Sequence, residues 1–266
     1  MKAMVLAAGL GTRLRPLTND RPKALVEVAG RTMLEITLQR LRAFGVNEVI
    51  VNAHHFADML CGYLAARNNF GMRIEISRED VLLDTGGGLK KAAWFFREGA
   101  GDAPFLVHNV DVISNIDLGR MVRFHEEQGA MATLAVQERA TSRPLLFDAD
   151  GQFRGRAAVY PRSQNRDLHP ANEDLFAGTP GDLGHPAEAG MRALAFSGIH
   201  VVSPHIFEKV TEEGAFSIID TYVRLAGQGE KLAAFRADEY YWRDLGRPEN
   251  IEQAARDLGQ GTIFPA

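Results

Sequence analysis

The strongest constraint on the fold is an alternation that runs through the first half of the chain. Short, unbroken apolar runs at residues 3–8, 49–51, 105–107 and 131–136 take turns with segments of helical period. In residues 31–44, Leu34, Leu38, Leu41 and Gly45 follow a 4, 3, 4 spacing, with a Thr32/Glu35 capping box at the start and Gly45 placed to end the helix. Phe56, Leu60 and Leu64 mark a second helix, and residues 89–96 and 118–127 two more. An apolar run that does not alternate reads as a strand covered on both faces, as in a parallel sheet. Residues 73–77 fit an edge strand. The expectation is an α/β fold with a doubly wound, mostly parallel (Rossmann-like) sheet. Ligands of such sheets sit beyond the carboxyl ends of the strands. That places the 9–15 loop, the 52–55 turn and the 109–111 turn on one rim.

The second half is patterned differently. Asp150-Gly151 marks a hairpin turn within residues 146–153. Residues 160–190 are rich in Pro, Gly, Asn and Asp and carry no sustained period, so they form either a flap or a mobile loop. Residues 195–202 and 232–235 read as strands, and 218–225 and 249–258 as helices. With 266 residues and no internal repeat, one domain spanning 1–266 is expected. Against 34 Asp and Glu stand 30 Lys and Arg, a balance that argues against nucleic acid as partner. The lone Cys61 excludes an intrachain disulfide and, inside an amphipathic helix, reads as a small buried hydrophobe. No apolar run reaches the ~18–20 residues of a membrane span. The apolar stretch of residues 1–8 is too short for a signal peptide and reads as a first strand. A soluble, cytoplasmic protein is expected; its oligomeric state is not legible.

The chemistry concentrates in Leu6-Ala-Ala-Gly-Leu-Gly-Thr-Arg-Leu-Arg-Pro-Leu-Thr18, followed by Arg21-Pro-Lys-Ala-Leu25. A buried strand opens into a loop of small residues bearing two arginines, with a lysine close behind. Glycines let backbone N–H groups approach phosphate oxygens, and arginines make forked, charge-assisted bonds to them. The dinucleotide fingerprint fails, because Leu14 stands where a third small residue belongs and Pro16 interrupts the helix. No P-loop sequence occurs. By spacing alone, a phosphate cradle and a plain strand-ending turn both remain open. His54-His55 lacks helical metal-ligand spacing and fits a rim loop, from which Asn52 could reach a bound base.

The pattern Gly9-x-Gly11-Thr-Arg13-x-x-Pro16-x-Thr18, then Pro22-Lys23, resembles the signature of sugar-1-phosphate nucleotidyltransferases. The resemblance continues through Gly30-Arg-Thr-Met-Leu34, Leu83-Asp-Thr-Gly-Gly-Gly88, Val107-His-Asn-Val-Asp111, Phe196-Ser-Gly-Ile199 and Tyr241-Trp-Arg-Asp-Leu-Gly246. It covers nearly the whole chain except about residues 154–192. Within the family it is most similar to the N-acetylmuramic acid 1-phosphate uridylyltransferase branch.

The resemblance implies transfer of a nucleotidyl group from a nucleoside triphosphate, UTP favoured, to a sugar 1-phosphate, with pyrophosphate released and Mg²⁺ as cofactor. Guanylyl and thymidylyl variants use the same frame. A nucleotide-sugar-sensing domain without turnover is a competing class, disfavoured because Arg13, Lys23, Asp111 and Asp244 are all present. The missing small residue at Leu14 disfavours a nicotinamide-dependent oxidoreductase.

The resemblance also implies residue roles. Residues 1–136 form a nucleotide-binding half and 137–266 a sugar-binding half, with a small β-rich insertion at about 154–192. Asp111 and Asp244 match the metal aspartates; Val110 replaces the family's usual glycine, so the turn must avoid a glycine-only conformation. Arg13 and Lys23 match the catalytic cations, Arg13 on the β- and γ-phosphates and Lys23 toward the α-phosphate. Ala8, Gly9, Gly11 and Thr12 line the triphosphate, Thr85, Gly86 and Gly87 the base, and Asn109 the ribose. Ser197 and Gly198 face the sugar, and Arg143 is a candidate for its phosphate. The family's usual sugar-phosphate lysine has no counterpart here. Arg15 supports the loop or faces solvent. Trp242 either packs or stacks on the sugar. Arg154, Arg156, Arg162, Asn165, Arg166 and Asn172 belong either to an acceptor-recognising flap or to a solvated loop.

Overall fold

The first apolar run becomes a strand with no exposed face, since Ala3 and Val5 pack into one hydrophobic core and Met4 into another. The computed structural model describes residues 1–99, 101–157, 190–261 and 263. In chain order its elements begin with β1 (Lys2–Leu6), the hairpin strands β2 (Glu27–Val28) and β3 (Arg31–Thr32), α1 (Met33–Ala43), β4 (Glu48–Ala53) and α2 (Ala57–Ala66). Then come β5 (Arg73–Arg78), α3 (Asp84–Lys91), α4 (Ala93–Arg97), β6 (Phe105–Asn109), β7 (Val112–Ser114), α5 (Leu118–Gln128) and β8 (Ala132–Gln137). The rest are β9 (Leu145–Phe147), β10 (Phe153–Arg156), β11 (Arg192–Val202), α6 (Ile206–Lys209), α7 (Ile218–Gly227), β12 (Leu232–Arg236), β13 (Trp242–Asp244) and α8 (Pro248–Gly259).

The expected sheet is present. β6, β1, β4 and β5 lie side by side in parallel, and β8 pairs in parallel with β12. The long strand β11 runs antiparallel between β6 and β8 and pairs at its start with β9 of the β9–β10 hairpin, so the sheet is mixed. Helices cover both faces. Leu34, Leu38 and Leu41 of α1, Met121 of α5 and Ala254 of α8 fill one core. Phe95 of α4 and Tyr222 and Leu225 of α7 fill the other. Truncating one such fully buried leucine to alanine costs about 2–5 kcal/mol, which is why the helical spacing is a reliable guide to the packed face.

Local signals act as read. The Thr32 side chain accepts the Glu35 N–H at 3.0 Å and caps α1, and Gly45 follows the helix with φ +79°. Two readings need correction. The expected 89–96 helix begins at Asp84 and divides at Ala92 into α3 and α4, so the three glycines lie inside a helix. Cys61 is half-buried rather than sealed in the core, and its Sγ accepts Nη2 of Arg78 at 3.4 Å. β9 and β10 extend the main sheet, and most of the expected insertion at about 154–192 lies outside the described residues. On β10, Arg154 pairs with Asp148, and Arg156 with Asp220. Arg162, Asn165, Arg166 and Asn172 lie outside the described residues. Among the described residues no helix is long and apolar enough to cross a membrane.

Candidate active site

The rim forms because the strand ends are level. Leu6 pairs with Asn52 of β4 on one side and Asn109 of β6 on the other. Asn52 is buried, and its Oδ1 accepts the N–H groups of Ala7 (2.6 Å) and Ala8 (3.3 Å). Its Nδ2 donates to Glu79 Oε1 at 2.7 Å, and Glu79 Oε2 accepts the Leu83 N–H at 3.0 Å. This polar strut ties the exit of β1 to the entry of α3. The expectation that Asn52 reaches a base is therefore corrected, because its amide is engaged within the protein. His54 Nδ1 meets the Glu79 carbonyl oxygen at 2.8 Å, as suits a rim loop.

The two loop glycines differ. Gly11 has φ +63°, and a Cβ there would lie 2.9 Å from Thr18 Cγ2 and 3.1 Å from Lys23 Cβ. The Thr18 hydroxyl donates to the Gly11 carbonyl at 2.8 Å. Gly11 is thus fixed by the threonine and lysine that follow it in the motif. A Cβ on exposed Gly9 would meet nothing within 4 Å, so that position opens outward. Thr12 and Arg13 form a short 3₁₀ turn with Leu14, whose side chain is fully buried and anchors the loop to the core. This explains the leucine at the position where a dinucleotide loop needs a small residue.

Carboxylates and cations converge beyond the rim. Lys23 Nζ pairs with Asp111 Oδ2, both side chains being mostly buried. Val110 keeps a negative φ, so the turn before Asp111 needs no glycine. β13 pairs antiparallel with β7, setting Asp244 opposite Val112, and the Leu245 N–H donates to the Asp111 carbonyl at 2.7 Å. Asp111, in the turn between β6 and β7, is thereby brought beside Asp244 of β13, and both are half-buried. A Cβ on Gly246 would meet Asp244 Oδ1 at 2.7 Å and Arg13 Nη2 at 2.8 Å. The bare backbone at Gly246 leaves room for both the Asp244 carboxylate and the Arg13 guanidinium. Mg²⁺ prefers all-oxygen donors, one or two carboxylates completed by phosphate and water. By that chemistry the pair fits the ion.

Around α3 the glycines serve packing. A Cβ on Gly86 would strike the Phe216 ring and approach the Ile218 nitrogen at 3.0 Å, and one on Gly87 would strike the Gly214 carbonyl. A Cβ on Gly88 would lie 2.8 Å from both Asn52 Nδ2 and Glu79 Oε1. Thr85 Oγ1 accepts the Ile218 N–H at 3.0 Å. Each feature holds α3 against the 214–218 segment and the strut. Thr85 therefore fixes the wall of any base pocket here while its hydroxyl oxygen is engaged in the protein.

On the opposite side β11 bulges between Phe196 and His200. Gly198 sits in the bulge with φ +73°, covered by the Asn109 amide, whose Nδ2 would lie 2.9 Å from a Cβ there. Asn109 and Gly198 are thus brought together. Ser197 is fully buried, its Oγ has no hydrogen-bond partner, and its carbonyl accepts the Trp242 indole N–H at 2.7 Å. Trp242 is a packing residue in this structure. Arg143 stands exposed on the chain entering β9, and no hydrogen bond of its side chain joins it to this cluster. The cation that does reach it is Arg139. Its Nη2 donates to the Phe196 carbonyl at 2.8 Å, and its guanidinium lies 3.6 Å from the Trp242 ring centre. Burial pulls the Arg139 pKa down to about 10, while the charge of Asp244 favours the cation. Sequence reasoning missed Arg139 and Glu79. Their partners come from distant parts of the chain, and only a charged residue at a strand end hinted at either.

Comparison with known proteins agrees with this geometry. The nucleotidyl transferase family matches residues 2–147. The chain is 36% identical to N-acetylmuramate alpha-1-phosphate uridylyltransferase of Caulobacter vibrioides over 250 residues, 93% of this chain and 92% of that protein. It is 29% identical to mannose-1-phosphate guanyltransferase of Aspergillus fumigatus, covering 94% of this chain and 62% of that longer protein. Among solved structures, UDP-glucose pyrophosphorylase complexed with UDP-glucose superposes with a TM-score of 0.72 at 18% identity, covering 97% of this chain and 98% of that one. HddC from Yersinia pseudotuberculosis, complexed with GMP-PN, gives 0.70 at 22%, covering 97% and 99%. These two support the fold alone. Whole-length similarity to the Caulobacter enzyme and the family match over residues 2–147, more than half of the chain, lead to one conclusion: this chain belongs to the nucleotidyl transferase family and is an enzyme of the sugar-1-phosphate nucleotidyltransferase type.

Proposed function

We propose that the enzyme transfers a uridylyl group from UTP to N-acetylmuramic acid 1-phosphate, with Mg²⁺ held by Asp111 and Asp244. The observation that carries the chemistry is the convergence of Arg13, Lys23, Asp111 and Asp244 beyond the carboxyl ends of β1 and β6. The choice of substrates rests on whole-length similarity to the Caulobacter enzyme.

The reaction is a displacement at the α-phosphorus. An oxygen of the sugar 1-phosphate forms the new P–O bond, and the bond from the α-phosphorus to the bridging oxygen breaks with release of pyrophosphate. A phosphate monoester, with a second pKa of about 6, is already dianionic near neutral pH, so no general base is required. The obstacle is repulsion between anions, and electrostatic positioning supplies most of the acceleration. Arg13 holds the β- and γ-phosphates and the departing pyrophosphate. Lys23 exchanges Asp111 for the α-phosphate as the triphosphate enters. Ala8, Gly9, Gly11 and Thr12 present the loop backbone to the triphosphate. Thr85, Gly86 and Gly87 shape the base side, Asn109 bonds the ribose, and Ser197 and Gly198 bound the sugar. A bound Mg²⁺ would neutralise phosphate charge and stabilise the leaving group.

The test is a matrix of UTP, dTTP, GTP, CTP and ATP against a panel of sugar 1-phosphates, with the nucleotide-sugar identified by mass. The expected product is UDP-N-acetylmuramic acid. Preference for another pair would keep the reaction and reassign its substrates. Nucleotide binding without turnover of any pair would favour the sensing-domain reading.

A further inference from the structure

Arg139 is an unexpected residue to find at the end of β8. Its guanidinium is largely withdrawn from water, and its Nε is shielded from solvent without a hydrogen-bond partner. Retaining a cation there costs desolvation, and an apolar side chain of similar size would often be as stable or more so. Stability is therefore a poor reason for its presence.

Its contacts offer a better one. Arg139 joins three elements that are far apart in sequence. It leaves the end of β8, which Gln137 fixes by donating to the carbonyls of Ala237 (2.8 Å) and Tyr240 (3.0 Å). Its Nη2 holds the Phe196 carbonyl in the β11 bulge, and its planar face covers Trp242 on β13. Trp242 closes the triangle by donating to the Ser197 carbonyl. Asp244 lies two residues along β13, close enough for its charge to act on the guanidinium. One side chain thus spans the 196–198 wall and the strand carrying a site carboxylate. A planar, five-donor guanidinium can stack and hydrogen-bond at once, whereas a lysine cannot reproduce both.

We propose that Arg139 is a positioning residue for the acceptor side: it holds the 196–198 wall against β13, so that the sugar 1-phosphate meets Asp244 in one fixed geometry. The inference rests on the acceptor-side reading of residues 196–198 given above. It predicts damage confined to the acceptor, because the nucleotide side is held separately by the Asn52–Glu79 strut.

The experiment uses the full chain and whichever substrate pair the wild type turns over best. Arg139→Met keeps length and apolar stem but removes charge and donors. Arg139→Lys keeps charge and removes the plane. Arg139→Met is expected to melt within a few degrees of wild type, the desolvation cost removed offsetting the lost bond to the Phe196 carbonyl. Its kcat/KM for the sugar 1-phosphate should fall ~100-fold, the scale of an ångström-sized misplacement, while KM for the triphosphate changes less than about twofold. Arg139→Lys should recover less than about a tenth of the loss, since charge alone does not restore the stacked geometry. In a Trp94→Phe background Trp242 is the sole tryptophan, and its emission reports acceptor binding directly. Titration with the sugar 1-phosphate should weaken in Arg139→Met and titration with the triphosphate should not. Wild-type constants for both substrates in Arg139→Met would overturn the proposal. So would equal losses toward both substrates together with a lowered melting temperature, or full rescue by lysine. A wild type inactive on every pair would remove the reaction reading itself, an outcome distinct from an active wild type with indifferent variants.

Discussion

Two glycines separated by one residue are expected to respond differently to the same substitution, Gly11 in stability and Gly9 in nucleotide binding. Gly11→Ala places a Cβ on a residue with φ +63°, at 2.9 Å from Thr18 Cγ2 and 3.1 Å from Lys23 Cβ. The left-handed conformation costs an L-residue about 1–2 kcal/mol. Displacing two packed side chains adds about 1–3 kcal/mol. A loss of ~2–5 kcal/mol in a chain of this size lowers the melting temperature by ~4–10 °C. Because the displaced neighbour is the stem of Lys23, turnover should fall as well. Gly9→Ala meets open space and leaves the melting temperature within a few degrees. Its methyl nonetheless stands where the loop backbone would approach the triphosphate, so KM for the nucleotide should rise. The assays are calorimetric melting and steady-state pyrophosphate release at a temperature where both variants are folded. An unchanged melting temperature in Gly11→Ala, or a Gly9→Ala enzyme with unaltered kinetics, would refute the reasoning.

Further predictions follow from the charges and the buried histidines. Asp111→Asn and Asp244→Asn should each lower kcat ~10²–10³-fold while circular dichroism stays native, since removal of one preorganised electrostatic group costs that much; an active Asp111→Asn enzyme would contradict the metal assignment. Lys23→Met should lower kcat more than it weakens UTP binding measured by calorimetry, the pattern of an interaction strongest in the transition state. Equal affinity loss with normal kcat would contradict it. Burial holds His108 and His125 down to a pKa of about 4 and His200 to about 3, against an ordinary 6.5. A depressed histidine pKa means that the unfolded chain takes up protons first as pH falls below 6.5. Stability present above that pH is then lost toward pH 4, by ~2 kcal/mol per group at pH 5. Urea unfolding at pH 7.5 and 5.0 measures this, and a midpoint that does not move would refute it.

The parallel half of the fold was legible because its signals are local. Residues 3–8 read as a doubly covered strand, and both cores indeed meet on β1. Thr32 and Glu35 read as a cap, and the bond is there. The rim was legible because parallel strands end level, which brought residues 6, 52 and 109 together without any knowledge of side chains. What escaped depends on partners far along the chain. Gly86 through Gly88 fell outside the expected 89–96 helix, because nothing in residues 83–88 announces that Phe216, Gly214 and Asn52 require bare backbone in a helix. Arg139 drew no reading, because its stacking surface is Trp242 and its acceptor Phe196, both far along the chain. Asn52 looked available for a ligand, because Glu79 gave no periodic signal that it would engage the amide. The three-residue strands of the β7–β13 pair carry too little pattern to be read, yet they set the two site aspartates side by side.

In the proposed reaction the sugar phosphate attacks the α-phosphorus directly, and no nucleotidyl group is ever covalently bound to the enzyme. This is tested most directly by the stereochemical course at that phosphorus. UTP made chiral with sulfur at the α-position would be turned over with the preferred sugar 1-phosphate, and the configuration of the nucleotide-sugar determined by ³¹P magnetic resonance. A single in-line displacement predicts inversion. Retention would require two displacements through a covalent nucleotidyl-enzyme and would contradict the account.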